Sequence, residues 1–106
     1  MKIITMCGSL RFKDQMIETS LKVELQGNCV LTPPYPLNDD KDNFSEKEIK
    51  VLDDMHKVRI KMSDAILVMN VDNYIGESTK KEIEYAKSLN KEIIYYTDII
   101  ESDGDK

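Results

Sequence analysis

Residues 64–69 read Asp-Ala-Ile-Leu-Val-Met and include the longest unbroken apolar run of the chain. A strand with one face in water alternates apolar and polar side chains, whereas a short strand that is apolar throughout is typical of a sheet covered on both faces. Sheets of that kind are parallel and lie between layers of helices. The run therefore predicts a buried central strand of an α/β protein.

Further strands and helices alternate around this segment. Short apolar runs predict strands at residues 3–7, 29–32 and 92–96. Apolar residues spaced three and four apart predict helices at residues 9–26, 45–62 and 79–90. The second helix opens with a capping-box pattern, Ser45 with Glu48, and a polar loop at 37–44 precedes it.

This βαβαβαβ order predicts a parallel sheet built by right-handed crossovers. We expect a small flavodoxin-like three-layer sandwich, with strand order 2-1-3-4 and helices on both faces. Residues 1–100 form the single domain, and residues 101–106 read as a flexible polar tail.

The composition narrows the possible partners. A net charge of −5 argues against a nucleic-acid polymer, which needs a stripe of basic residues. The chain has no apolar run of membrane-spanning length and no leader pattern, so we expect a cytoplasmic protein without a membrane partner. The two cysteines and the single histidine lack metal-ligand spacing, so neither a metal nor a cofactor is expected.

Two loops should carry the ligand, because ligands bind such sheets at the carboxyl ends of the strands beside the switch point. In the first loop Gly8 lets the backbone approach a ligand, Ser9 offers a hydroxyl and Arg11 a positive charge. The alternative is that Ser9 only caps the helix and Arg11 is a solvated surface residue. In the second loop Gly76, Ser78 and Thr79 precede a helix and are typical of a phosphate cradle.

Glu82 is the candidate catalytic carboxylate. At about 100° per residue, the inward face of the third helix carries Ile83 and Ala86, with Glu82 at its edge and Glu84 toward solvent. A carboxylate in this position can attack the anomeric carbon of a sugar. The alternative is a capping box, since Thr79 and Glu82 fit the Thr-x-x-Glu pattern.

Three further residues are candidate substrate contacts. His56 lies on the flank of the second helix's apolar face, where a packed or half-exposed structural histidine is the alternative. Tyr35 and Tyr74 fall in loops that should face the pocket, where their rings could stack on a base.

Residues 7–11, 63–68 and 76–86, in this order and spacing, resemble the nucleoside 2-deoxyribosyltransferase-like family, which includes deoxynucleoside 5′-monophosphate N-glycosidases. The resemblance implies a flavodoxin-like fold and cleavage of an N-glycosidic bond, or deoxyribosyl transfer, on a (deoxy)nucleoside or its 5′-monophosphate. It implies that Glu82 attacks the deoxyribose C1′ and that the two loops hold sugar and phosphate oxygens. A homodimer or larger homo-oligomer is also implied.

The chain departs from the family pattern near the expected nucleophile. Glu84 stands where the family usually has glycine. Asp53, Asp54 and His56 occupy the region where an aspartate commonly helps hold the substrate, and we take Asp54 and His56 as candidates. Two alternatives to an enzyme stay open: a non-catalytic nucleotide-binding or sensing module, and an interaction domain without a ligand.

Overall fold

Strands and helices alternate through the part of the chain that the computed structural model describes, residues 1–35 and 44–104, with side chains up to residue 100. The elements are β1 (Ile3–Cys7), α1 (Lys13–Leu25), β2 (Cys29–Leu31), α2 (Glu46–Met62), β3 (Ala65–Val68), α3 (Glu77–Ser88), β4 (Glu92–Tyr95) and α4 (Tyr96–Gly104). Short 3-10 turns, Leu10–Phe12 and Val71–Asn73, follow β1 and β3.

The sheet has the order β2-β1-β3-β4 and all three strand pairs are parallel, which confirms the predicted fold class and topology. Ile4 lies opposite Ala65, and Cys7 lies opposite Val68. Because β1 and β3 end at the same level, the loops that follow them leave the sheet side by side.

The core has two layers, one on each face of the sheet. All four residues of β3 are buried, as the apolar run predicts. On one face Met16 and Val23 of α1 pack in a cluster with Leu67. On the other face Ile60 of α2 and two residues of α3 pack with Ile66. None of the described helices is both long and apolar enough to cross a bilayer.

The helix starts show which capping interpretation holds. At α2, Ser45 Oγ accepts from Glu48 N at 3.1 Å and Glu48 Oε1 accepts from Ser45 N at 2.9 Å, so that capping box is confirmed. At α3 the capping-box interpretation is wrong. Gly76 is the N-cap, and Thr79 is already the third helical residue, with its side chain buried. Glu82 therefore lies beyond the first turn and is not part of a cap.

The last helix, α4, was not predicted from the sequence. Its start is tied to the end of β3, because Asn70 Nδ2 donates to Thr97 Oγ1 at 3.1 Å and Thr97 N donates to Asn70 Oδ1 at 3.2 Å. The helix includes residues 101–104, which the sequence analysis assigned to a polar tail. Residues 105–106, and residues 37–43 of the predicted polar loop, lie outside the described residues.

Gly8 marks the closest approach of the first loop to the neighbouring strand end. A Cβ built on Gly8 would lie 2.9 Å from Cβ of Met69, a separation that ordinary side chains do not reach. Met69 has little room to move, since it follows the buried strand β3 and is itself buried. A side chain at position 8 would therefore push the two loops apart.

We expect Gly8→Ala to lower the free energy of unfolding by about 1–3 kcal/mol, the usual cost of overpacking. Urea denaturation followed by circular dichroism measures the change. The control is Gly76→Ser, whose added Cβ would stand 3.4 Å from the Tyr74 hydroxyl and whose side chain can cap α3. This control should be as stable as the wild type or more so. Equal stability of Gly8→Ala and the wild type would contradict the close approach.

Candidate active site

The loops after β1 and β3 meet and enclose an open cavity of about 430 Å³. Seven of the residues predicted from the sequence line it: Gly8, Ser9, Arg11, Tyr74, Gly76, Ser78 and Thr79. The two loops come together because β1 and β3 are neighbours and end at the same level of the sheet. The structure thus brings the two predicted loops together at one cavity.

Two further cavities adjoin this one, and Glu82 lines both of them. One has about 340 Å³ and is walled by α2 and α3. The other has about 160 Å³ and lies among the first loop, α2 and α3. Asp53 lines all three cavities. The site is thus a continuous cleft around one aspartate, with Glu82 at its inner end.

Glu82 occupies the position that helix geometry predicts. Its side chain is 23% exposed, Ile83 and Ala86 beside it are buried, and Glu84 is exposed. The carboxylate thus reaches the cleft while its stem lies against the buried face of α3. Its chemical role stays a prediction.

Three side chains from three different elements converge at the inner end of the cleft. His56 Nε2 lies 3.3 Å from Glu82 Oε1 and 3.4 Å from Cys7 Sγ. Cys7 ends β1, His56 lies on α2 and Glu82 on α3. The imidazole is buried, with only 10% of its side chain exposed. His56 therefore lines the smallest of the three cavities and is at the same time a partner of Glu82.

A fourth residue, Arg59, contacts the other side of the same imidazole. Its Nε donates a hydrogen bond of 3.1 Å to His56 Nδ1. Arg59 lies one turn beyond His56 on α2 and also lines the smallest cavity. The chain Arg59–His56–Glu82 thus runs from α2 across to α3.

Burial controls the charge of this cluster. Desolvation raises the pKa of the Cys7 thiol well above its usual value, and the negative charge and hydrogen bond of Glu82 raise it further. Cys7 is therefore a neutral thiol that can donate toward Glu82. Desolvation also lowers the pKa of the Arg59 guanidinium, while the nearby Cys7 and Glu82 act in the opposite direction. An arginine nevertheless keeps its charge near neutral pH.

Tyr74 lines the main cavity and contacts two residues that follow β1. The guanidinium carbon of Arg11 lies 4.2 Å from the centroid of the Tyr74 ring, and Phe12 contacts the same ring edge to face at 5.9 Å. Ser9 Oγ accepts from Arg11 N at 3.3 Å, so Ser9 caps the 3-10 turn while it lines the cavity. Arg11 is exposed, and the cation–π contact holds its guanidinium beside the cavity.

Comparisons with solved structures show which proteins share this fold. The 2-deoxyribosyltransferase of Bacillus psychrosaccharolyticus matches with a TM-score of 0.72 and 16% identity over 88% of this chain and 70% of that one. The 2-desoxiribosyltransferase of Leishmania mexicana matches with a TM-score of 0.66 and 16% identity over 91% of this chain and 64% of that one. The CMP N-glycosidase BcmB of Clostridium botulinum matches with a TM-score of 0.59 and 20% identity over 89% of this chain and 70% of that one.

The chain has the fold of the 2-deoxyribosyltransferases. It spans between 64% and 70% of the length of these three proteins. No model of a known protein family and no curated protein matches the sequence. The fold that the sequence resemblance implies is therefore confirmed by structure, at identities too low to transfer an activity.

Two of the predicted contacts lie away from the cleft. Tyr35 packs against the core cluster on the α1 face of the sheet, and burial raises the pKa of its phenol. Asp54 is exposed, and its carboxylate accepts a 3.0 Å hydrogen bond from Lys50 Nζ. Its neighbour Asp53 lines the cleft instead. One residue along a helix is a turn of about 100°, which is enough to move a side chain to another face.

Cys7, Arg59 and Asp53 are site residues that the sequence analysis missed or left unassigned. Asp53, His56 and Arg59 are spaced three apart on α2, which places them along one side of the helix. This spacing was the available signal for the α2 residues. Cys7 had no comparable signal, because its contacts come from distant parts of the chain.

Cys7, His56 and Glu82 also raise the question of a metal, since their ligand atoms lie within 4.8 Å of one another. Linear spacing could not reveal this cluster because each residue comes from a different element. A histidine that binds a metal through Nε2 carries its proton on Nδ1 and donates it to an acceptor. Here Nδ1 faces the Nε–H donor of Arg59. The donor set therefore fits a hydrogen-bonded cluster better than a metal site.

The raised pKa of Cys7 predicts a loss of stability at alkaline pH. Above 9.0, the ordinary thiol value, the unfolded chain loses this proton while the buried thiol keeps it. The free energy of unfolding should then fall by up to about 1.4 kcal/mol per pH unit from this group alone. Denaturant titrations at several alkaline pH values measure the slope.

Cys7→Ala should flatten that slope, whereas Cys29→Ala should keep it, because Cys29 is exposed. The same slope in all three proteins would show that Cys7 ionises as freely in the folded state as in the unfolded one.

Proposed function

We propose that the protein cleaves the N-glycosidic bond of a (deoxy)nucleoside or its 5′-monophosphate, or transfers its deoxyribosyl group, with Glu82 as the nucleophile. The observation that carries the proposal is the position of Glu82. Its carboxylate is partly exposed at the inner end of the cleft, next to two loops with hydroxyl, backbone and guanidinium groups.

The proposed reaction uses this placement. An oxygen of Glu82 attacks C1′ of the sugar, the C1′–N bond breaks, and its electron pair leaves with the base, which takes up a proton. The resulting glycosyl ester is then attacked at C1′ by water or by a second base, which releases the carboxylate. Two displacements at C1′ retain the configuration of the sugar.

The two loops supply groups for the remainder of the substrate. Ser9, Ser78 and Thr79 carry hydroxyls, and Arg11 carries a charge suited to a phosphate. The N-cap of α3, Gly76, has no side-chain acceptor for the first amide groups of the helix. These amides remain available to an anionic oxygen, which the helix dipole also favours.

The size of the cleft and the comparisons support the same substrate class. The main cavity of about 430 Å³ falls within the usual range for small-molecule sites. The similar structures include two 2-deoxyribosyltransferases and one CMP N-glycosidase, so both transfer and hydrolysis occur on this fold. The exposed Arg11 at the cavity favours a monophosphate over an uncharged nucleoside.

We expect Glu82→Gln to abolish release of free base, with kcat lowered at least about 1,000-fold, because an amide oxygen is a poor nucleophile. Chromatography of the products from a panel of nucleosides and 5′-monophosphates measures the release. Glu84→Gln is the matched control, since Glu84 lies two residues on and is exposed. It should retain at least about half of the wild-type kcat, as expected of a surface change.

The same panel separates the enzyme from its two alternatives. If no member of the panel is cleaved at high protein concentration, the catalytic proposal fails. If a nucleotide nevertheless raises Tm, and does so equally in wild type and Glu82→Gln, the binding or sensing module becomes the better description. Absence of both turnover and stabilisation would favour an interaction domain.

The same proposal includes a homodimer built on α2. Four apolar residues of this helix are about half exposed: Val51, Met55, Val58 and Met62. Their spacing of four, three and four is that of a coiled-coil seam. Asp54 and Lys61, both exposed, flank the seam one heptad apart. In an antiparallel pair of α2 helices, Asp54 of each copy would lie near Lys61 of the other, so a second copy is the matching partner.

We expect the wild type to be a dimer by size-exclusion chromatography with light scattering, and Val58→Glu to raise the dissociation constant at least about 10-fold, equivalent to 1.4 kcal/mol. The control is Leu21→Glu, which places the same charge on the exposed face of α1, across the sheet. A monomeric wild type, or equal dissociation by both variants, would argue against this seam.

A further inference from the structure

The imidazole of His56 links Glu82 to Arg59 through its two ring nitrogens. Nε2 faces Glu82 Oε1 and Cys7 Sγ, and Nδ1 accepts the hydrogen bond from Arg59 Nε. A guanidinium has only donors, so the nitrogen that it contacts must act as an acceptor. The neutral imidazole then carries its single proton on Nε2. Arg59 thereby sets the tautomer in which His56 donates toward Glu82.

This donation restricts rotation of the carboxylate, because His56 Nε2 holds its Oε1. The neutral Cys7 thiol adds a second donor on the same side. Among the described residues, Cys7 of β1, Arg59 of α2 and Glu82 of α3 face His56.

We propose that His56, with its tautomer set by Arg59, is the positioning residue for Glu82. The role rests on the proposed function of Glu82. The tautomer and the hydrogen bond, however, are properties of the folded chain and can be measured without turnover. His56 acts through Glu82 and does not itself touch the reacting atoms.

The chain suits a direct test because His56 is its only histidine. In protein labelled with 15N-histidine, long-range 1H–15N spectra distinguish the protonated ring nitrogen from the unprotonated one without an assignment problem. The spectra are recorded over a series of pH values, and the tautomer is read where they show one protonated and one unprotonated ring nitrogen. We expect a protonated Nε2 and an unprotonated Nδ1.

Two variants connect this result to the neighbours. In Arg59→Met the donor to Nδ1 is removed, so the two nitrogen shifts should move toward each other as both tautomers become populated. In Glu82→Gln the proton on Nε2 loses its charged acceptor, so its resonance should move upfield, while Glu84→Gln should leave it unchanged. A proton on Nδ1 in the wild type overturns the positioning role. So does an Nε2 proton whose chemical shift is the same in Glu82→Gln as in the wild type.

Kinetic measurements give a second test of the positioning role. His56→Leu should lower kcat about 100-fold with little change in KM, since misplacing a catalytic group acts on the chemical step. His56→Gln keeps a side-chain N–H donor and should recover about 10-fold of that loss. Equal loss in both variants, or a change confined to KM, counts against positioning. An Nδ1 proton refutes this role whatever the substrate panel shows, whereas an inactive panel refutes the enzyme and leaves the hydrogen bonds intact.

Discussion

The parallel pairing of β1 with β3 is the contact on which the rest of the molecule depends. β3 is buried on both faces and pairs with β1 over its whole length, so the two strands end together. Gly8 leaves no side chain between the first loop and Met69. The loop after β1 and the loop before α3 therefore share one cavity, and every feature of the candidate site is arranged around that shared edge.

Helix α2 connects this edge to the inner end of the cleft. Its buried side carries His56 and Ile60, and Ile60 packs with residues of β3 and α3. Apolar packing of α2 thus determines where the imidazole lies, and the imidazole meets Glu82 and Cys7 there. A buried polar cluster is stable only where its members satisfy one another, and here Arg59 supplies the remaining partner.

Local patterns in the sequence predicted the strands and the position of Glu82 on its helix. They succeeded because an apolar run, a period of 3.6 residues and a carboxylate next to an inward stripe are each visible within a few residues. They failed where two local patterns compete. Thr79 and Glu82 match a capping box, but Gly76 starts the helix three residues earlier, and burial of Thr79 excludes the cap.

Local patterns also could not decide whether Asp53 or Asp54 faces the cleft, and they did not predict α4. Which of two adjacent aspartates faces the cleft depends on how α2 is rotated against the sheet, and the rotation is set by packing of Ile60. The start of α4 depends on hydrogen bonds between Asn70 and Thr97, which are 27 residues apart. No short window of sequence contains either interaction.

The sequence by itself therefore determined the parallel α/β architecture and the position of Glu82 at the edge of the buried face of α3. Both follow from the period of apolar residues along each element. Only the tertiary structure decided that Cys7, His56 and Glu82 meet, and that Arg59 faces the opposite side of the imidazole. The physical reason is that these contacts join three elements, so their distances depend on how two crossovers pack on one sheet rather than on any local pattern.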